Sequence, residues 1–428
     1  MYIQKVKKTT VQKSEIAKNM KNKLILFTAD FPFGTGETFL ETEINYLAEG
    51  FDEVLIISQN NSGQQTRVIP ANCEVRRINL SLTKIQKLQA LFNFFDPLFW
   101  KERSIIKSLY KRTITKGIIS TMLISLFKGK RVRNYVKKLL TGEKNDVKLF
   151  LYSYWCDDVA LGLALAQDEC PKVKTLCRIH RWDVYFEEST ISYLPFRKTI
   201  TQNIGKIFSI SQDGIDYAKA VWKTGLDDKF ELSRLGVNNS INPANIERNY
   251  LLLVSCSNII PVKRVYLIAE ALKGITESAI KWIHFGDGPE RMQIETIISN
   301  LPSNIRVELM GRRDNKEIYT YYNEIRPHLF INVSSSEGVP VSIMEAMSFG
   351  IPVIATNVGG NSEIVNCENG YLLKADIKPM ELAETIKSFI DLSSTLQEMK
   401  QVASFETWKM MYNADDNFSQ FVKTIQDL

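Results

Sequence analysis

One stretch constrains this chain more than any other: residues 330–365, FINVSSSEGVPVSIMEAMSFGIPVIATNVGGNSEIV. An apolar strand, FINVS, breaks into the polar loop SSSEG. A short helix, PVSIMEAMSF, follows, opened by Pro340, whose missing N–H costs nothing at a helix start, and stopped by Gly350. A second buried strand, IPVIAT, runs into Gly359 and Gly360, which let a ligand or a neighbouring backbone approach closely. Strand, loop, helix, strand, loop is an α/β unit with both loops at the carboxyl ends of the strands. Open parallel sheets bind their ligands there.

Two carboxylates mark this unit. Glu337, followed by Gly338, lies in the loop, and Glu345 lies eight positions on in the helix. The first N–H groups of that helix, at Val341 and Ser342, have no partner inside it and form a positive end suited to a phosphate. A lone pair of glutamates at this spacing reads as a loop acid and a solvated helical acid. Between a strand and a proline-opened helix, with a glycine pair behind, it reads as a binding site.

The whole stretch resembles the donor-site signature of the family 4 retaining glycosyltransferases of the GT-B fold, of the bacterial exopolysaccharide, capsule and lipopolysaccharide type. There an E-x7-E pair precedes a G-x-P-V-[IV]-A strand and a GG-x-x-E-[IL]-[VI] loop, and glutamates, glycines and proline all fall in place here. The resemblance spans roughly residues 22–425, dense in the second half and thin between 65 and 140. It implies an α/β protein with two facing Rossmann-like domains and a central cleft. It also implies that Glu345 holds the ribose hydroxyls of a nucleotide sugar and that Glu337 touches the transferred sugar.

The remaining segments fit such a frame. KLILFTADFPFGTGETFLETEINYLAEGFDEVLIIS reads as strand, glycine loop, amphipathic helix and strand. Gly34 and Gly36 of that loop leave backbone N–H groups free for a pyrophosphate or an acceptor hydroxyl. VKLFLYSYW, VKTLCRI and KIFSISQ read as further strands, with helices DDVALGLALAQDE and DGIDYAKAVW between and after them. His180, just past a strand end, is a structural residue on its own terms; the resemblance implies a histidine that borders and positions the donor sugar. A polar stretch with Asn242 and Pro243 reads as a linker.

In YLLLVSCSNIIPVKRVYLIAEAL a buried strand leads to Lys263 and Arg264, adjacent cations that suit a diphosphate before a helix with an apolar face. By resemblance Lys263 is the phosphate-binding lysine, whereas the family's arginine five positions earlier is Asn258, with Arg264 as a possible substitute. Gly286 and Gly288 match a G-x-G-P turn, and Gly311 and Arg312 match the nucleobase region. His284 reads as core. GYLLKA, PMELAETIKSFIDL and an aromatic-studded helical tail complete the chain.

Residues 81–140 differ from the rest. They hold 14 Lys and Arg against Asp96 and Glu102, a net of +12 in a chain whose total is +6. Interleaved are Leu91, Phe92, Phe94, Phe95, Phe99, Trp100, Tyr110, Leu123, Ile124 and Phe127. This pattern fits either an interfacial face for an anionic leaflet or helices with an aromatic core side and a cationic water side. No nucleic-acid motif accompanies it.

With 428 residues and 44% hydrophobic composition the chain can build two or three cores. Six scattered cysteines without C-x-x-C spacing suggest neither zinc nor disulfides, and a reducing cytoplasm fits. The expected layout is an acceptor-binding domain at 1–240, with 1–21 loose, a nucleotide-sugar domain at 241–404, and a helical segment at 405–428 crossing back. No cofactor or metal is expected. The reaction implied is hexosyl transfer with retention, from a UDP- or GDP-linked sugar to a glycan or lipid-linked glycan, on the cytoplasmic side and peripheral to the inner membrane face. The competing reading is an inactive nucleotide-sugar-binding partner of another transferase, suggested by Asn258.

Overall fold

The computed structural model describes residues 20–34, 36–143, 146–167, 169–170, 173–239 and 248–428. The expected loose start and the Asn242–Pro243 turn lie outside these residues, apart from Met20 and Lys21. The chain divides into two units: one takes residues up to Ile210, Gly214–Ser233 and Phe418–Leu428, the other Ser211–Asp213 and Arg234–Asn417.

The first unit is built on seven parallel strands: β1 (Lys21–Thr28), β2 (Glu53–Ser58), β3 (Cys73–Arg77), β4 (Val147–Ser153), β5 (Lys174–Ile179), β6 (Lys206–Ser209) and β7 (Phe230–Leu232). Their order across the sheet is β3-β2-β1-β4-β5-β6-β7. Both faces are covered, so β1 and β4 read as continuous apolar runs rather than alternating ones. Alternation survives in where the side chains go. Leu24, Leu26, Phe150 and Tyr152 pack with the helix Leu40–Gly50 and with Phe421, Val422 and Ile425 from the end of the chain. Ile25, Phe27, Leu149 and Leu151 face the other way, onto Val132 and Val136 of the helix Lys116–Leu140. That helix lies close on Asp158–Gln167: a Cβ on Gly162 would overlap Val132, and one on Gly129 would meet Leu161 at 3.0 Å.

A fully buried ion pair, Glu43 with Arg178, sits inside this unit. Tyr152 donates to the other Glu43 oxygen at 3.4 Å, Arg178 reaches Ser233 Oγ at 3.2 Å, and its guanidinium stacks over Phe421 at 4.1 Å. Desolvation raises the Glu43 carboxyl above its ordinary value, against the pull of Arg178.

The second unit repeats the design with six parallel strands: β8 (Leu251–Cys256), β9 (Ile280–Phe285), β10 (Ile305–Leu309), β11 (Leu329–Asn332), β12 (Val353–Thr356) and β13 (Gly370–Leu373), ordered β10-β9-β8-β11-β12-β13. One face carries Leu253, Trp282, Ile331 and Ile354 against the helices Tyr266–Lys273 and Pro379–Ile390. Residues entering and leaving this unit run side by side: Val237 N–H donates to the Tyr412 carbonyl at 3.0 Å and Trp408 Nε1 to the Val237 carbonyl at 3.0 Å. The last helix, Ala414–Gln426, begins here and ends in the first unit.

Two Rossmann-like units are thus present, the fold class expected from the sequence. The unit boundary falls at residues 233/234 and the return at 417/418, where the sequence suggested 240 and 405. Strand β3, CEVRR, escaped sequence reading because an edge strand with polar residues carries no apolar run.

Removing only the cation of the buried pair leaves a carboxylate in the core. Arg178→Met should cost about 3–5 kcal/mol in urea unfolding, and adding Glu43→Gln should recover part of that loss.

Candidate active site

In the second sheet the strand order turns back between β8 and β11, which pair through Leu253–Leu329 and Val254–Phe330. The loops beyond these two strands therefore emerge side by side at the carboxyl edge. The β8 loop ends in a single tight turn, Pro261–Lys263, and the β11 loop carries residues 333–340 to the helix Val341–Ser348. Pro340 precedes that helix as its capping residue and is not its first member.

Lys263 and Glu337 meet across the two loops, Nζ to Oε1 at 2.5 Å. The same oxygen accepts from Ser334 Oγ at 2.6 Å and from Asn332 Nδ2 at 3.2 Å, and Glu337 is 6% exposed. Asn332 Oδ1 in turn accepts from the Ser334 N–H at 3.1 Å. A carboxylate so held has one orientation. Arg264 does something else: its Nε and Nη2 donate to the carbonyls of Val333 and Ser334 at 2.8 and 3.0 Å. Its guanidinium thereby ties one loop to the other. Asn258 itself is exposed.

Glu345 is buried in the helix, 5% exposed, which excludes the solvated reading. Asn315 Nδ2 and Tyr319 Oη donate to its Oε1 at 2.9 and 3.3 Å. Burial pushes its carboxyl up to about 7, opposed by the Tyr319 bond. Val341 and Ser342 open the helix, half-buried, with their N–H groups at its positive end.

The glycines serve the loops before any ligand. Gly359 has φ +50°, and a Cβ there would overlap the Glu337 carbonyl; Gly360 N–H donates to the Gly338 carbonyl at 2.7 Å. Gly286 and Gly288 press on the carbonyls of Ser257 and Ile259, and Gly286 N–H donates to the Gly311 carbonyl at 2.8 Å. Beneath Ser257 lies His284, 2.8 Å from Ser255 Oγ and 3.1 Å from the Ser257 carbonyl, its ring pushed down to about 4 by burial and therefore neutral. It is a core residue, as read. Arg312 is exposed on the loop after β10.

In the first unit, His180 follows β5. It is 4% exposed, and neither ring nitrogen has a hydrogen-bond partner among the described residues. Its backbone N–H donates to Asp183 Oδ1 at 2.8 Å, and its ring is enclosed by Trp155 at 4.3 Å, Tyr154 at 4.8 Å and Phe39 at 6.2 Å. The glycine loop after β1 closes on Glu37, whose carboxylate accepts from the N–H groups of Ala29, Asp30 and Phe31 at 2.6–2.9 Å and from Trp155 Nε1 at 2.6 Å. Asp30 backs Gly34 and Gly36, at 2.6 and 3.2 Å from where their Cβ atoms would be. Both carboxylates of this loop are engaged by protein donors, Glu37 as above and Asp30 Oδ1 by Asn60 Nδ2 at 2.6 Å.

Sequence reading did not find Ser334, Asn332, Asn315 or Tyr319, which orient the two glutamates. It also missed Asp157, whose carboxyl burial pushes up to about 7, with Asp158 adding to the rise. Its neighbours line a cavity of about 330 Å³ that includes Gln59, Lys128, Trp182, Tyr193 and Arg197. Tryptophans shortly after two strand ends, at 155 and 182, were the available signal.

Comparison with known proteins adds an independent line. Residues 237–404 match the family described as Glycosyl transferases group 1. N-acetyl-alpha-D-glucosaminyl L-malate synthase of Bacillus anthracis is 33% identical over 129 residues, covering 30% of this chain and 33% of that protein. The uncharacterized glycosyltransferase MJ1178 of Methanocaldococcus jannaschii is 32% identical over 233 residues, 53% of this chain and 62% of that one. The alignments thus span less than two thirds of either relative. Anabaena Alr3699/HepE, solved in complex with UDP and glucose, superimposes with a TM-score of 0.62 at 15% identity over 96% of this chain and 100% of that one, a likeness of fold.

The raised Glu345 carboxyl has a stability signature. Unfolded, the group ionises near its ordinary 4.5; folded, it holds its proton to about 7. Its contribution is complete below the lower value and lost as pH rises through the upper one. Glu345→Gln removes this dependence, so the unfolding free energy of the native chain, relative to the variant, should fall by on the order of 3 kcal/mol between about pH 4.5 and pH 7.5.

Proposed function

We propose that the protein is a retaining glycosyltransferase that moves a hexosyl group from a UDP- or GDP-linked sugar to an acceptor hydroxyl of a glycan or lipid-linked glycan, in building a cell-surface polysaccharide. The observation that carries this reading is the Lys263–Glu337 pair at the β8/β11 turn-back, with Glu345 buried one helix deeper. Ammonium, helix N-terminus and two oriented carboxylates meet the needs of a nucleotide sugar: a cation for the diphosphate, acceptors for sugar hydroxyls and an acceptor for the ribose.

The roles follow from the contacts. Glu337, fixed by Ser334 and Asn332, keeps its second oxygen for the sugar. Lys263 exchanges its bond to Glu337 for the diphosphate as charge builds on the leaving group. The N–H groups of Val341 and Ser342 share that charge, and Gly338 leaves the approach open. Asn258 and Arg312 stand on the exposed rim, Arg312 toward the base. For His180 to position a sugar hydroxyl, its ring, buried among aromatic rings with Nδ1 3.8 Å from Asp183 Oδ2, must be uncovered as the sugar binds. The site asks for no metal, since its cations and backbone dipoles carry the charge. The cavity beside Asp157 and Trp182 offers hydrogen-bond acceptors and a ring face to an acceptor sugar. The protein works on the cytoplasmic side of the membrane.

The inactive-partner reading is favoured by neutral Asn258 together with the engagement of Arg264, which leave less positive charge for a diphosphate. Turnover separates the two.

A thermal-shift and hydrolysis screen of UDP-, GDP- and ADP-sugars should yield one donor that stabilises the native chain and is slowly cleaved. Lys263→Ala should weaken its binding about ten- to hundredfold. Glu337→Gln should slow cleavage about a hundredfold or more. A released sugar of unchanged anomeric configuration, read by NMR, supports retention. Binding without cleavage, even with acceptor glycans supplied, favours the partner reading, and no binding overturns both.

Ribose hydroxyls must donate to an ionised Glu345, so nucleotide binding releases its proton. Affinity measured by calorimetry should therefore rise with pH up to about 7 and then level off, and Glu345→Gln should abolish that slope.

A further inference from the structure

The basic and aromatic region divides its apolar residues between core and solvent. Phe99, Ile106, Ile118, Met122, Leu123 and Leu126 enter the core of the first unit. Ile85, Leu88, Leu91, Phe92, Phe95 and Trp100 do not: Phe92 and Phe95 remain 74% and 79% exposed, Ile85 71% and Leu88 65%. They occupy the short helix Lys84–Ala90, the turn Leu91–Phe95 and the start of the helix Pro97–Ser108. Large apolar side chains gathered outward over so few residues mark an interaction surface.

This surface is held firmly. Asn93, buried within the turn, donates to the Leu123 carbonyl at 3.1 Å and accepts from Lys130 Nζ at 2.8 Å. Asp96 caps the following helix through the Leu98 N–H at 2.8 Å and pairs with Lys130. Trp100 Nε1 donates to the Phe94 carbonyl at 2.7 Å. Thr83 and Gln86 form a capping box at the other end. Phe92 and Phe95 are therefore fixed facing out, with no ordering left to do on binding.

The charge around them has one sign. Lys84, Lys87, Lys101 and Lys107 are exposed, Arg103 lies over Trp100 at 5.0 Å, and the two acids of the segment are occupied: Asp96 with Lys130, and Glu102, 1% exposed, with Tyr193 Oη and the Phe196 N–H, each at 2.6 Å. Beside the exposed face runs an apolar groove of about 280 Å³, walled by Leu91, Ile119, Leu123 and Ile124 with Lys87 and Lys116 at its sides.

We propose that this face docks on an anionic lipid surface, Phe92 and Phe95 entering between the acyl chains, the lysines meeting phosphates, and the groove taking one acyl chain of a phosphate-bearing lipid. Among the described residues no helix is long and apolar enough to cross a membrane. Charge complementarity selects lipid over a second copy of the chain, whose matching face is equally cationic. The inference stands apart from the transfer reading, because lipid binding is read without any donor.

The test is flotation of the full chain with vesicles of phosphatidylcholine alone and of phosphatidylcholine mixed equally with phosphatidylglycerol, at low and high salt. The native chain should float with the anionic vesicles at low salt and not with the neutral ones. Phe92→Ser with Phe95→Ser, and separately Lys84→Glu with Lys87→Glu, should each weaken binding at least about tenfold with the thermal midpoint and donor hydrolysis unchanged. Brominated acyl chains should quench fluorescence in the native chain and less in Trp100→Phe. The proposal is overturned by absence of flotation, by equal binding to both vesicle types, or by binding untouched in the variants. Self-association of the native chain that the Phe92→Ser, Phe95→Ser variant loses would assign the face to a second copy instead.

Discussion

Because every strand in both sheets runs parallel, all carboxyl-end loops of a unit leave from one edge, and where the strand order turns back two of those loops diverge around an open space. In the second unit that place is between β8 and β11, and it explains the company the residues keep. Lys263 and Glu337 are 74 positions apart in the chain yet hydrogen-bonded, lysine donating, because their strands are neighbours and their loops leave from the same edge. Arg264, one residue on, is left to clamp the loops together.

This dependence also sets what a linear reading could reach. The glutamate spacing, the strands around it and Lys263 were legible, since each is a local pattern of residue type and period. Both Rossmann-like units were legible for the same reason. The partners were not: Ser334 lies three residues from Glu337 and passes for loop filler, while Asn315 and Tyr319 come from a helix 30 and 26 positions before Glu345. The adjacent cations at 263 and 264 look alike in sequence, and only the fold separates a lysine paired with Glu337 from an arginine bonded to the Val333 and Ser334 carbonyls. Likewise nothing in the first loop's sequence announces that Glu37, a residue with φ +54°, folds back to accept from the N–H groups of Ala29, Asp30 and Phe31.

The first unit handles charge in the opposite manner. It buries Glu43 and Arg178 outright, wraps them in Tyr152 and Phe421, and holds His180 among rings close above, with hydrogen-bonding capacity left over. Such an interior gains little net free energy from its ions and is sensitive to losing either one. It also fixes the last helix, whose Phe421 is the lid over the guanidinium, so the end of the chain is part of this core and not an appendage.

The glycines that line the second unit's loops carry a further consequence. At Gly359, Gly286 and Gly288 main chain touches main chain, leaving no room for even one carbon. These contacts between loops are thus made of atoms that every amino acid has, and their form does not depend on the side chains exposed nearby. Exposed residues nearby, such as Asn258 and Arg312, can change while these main-chain contacts keep their form.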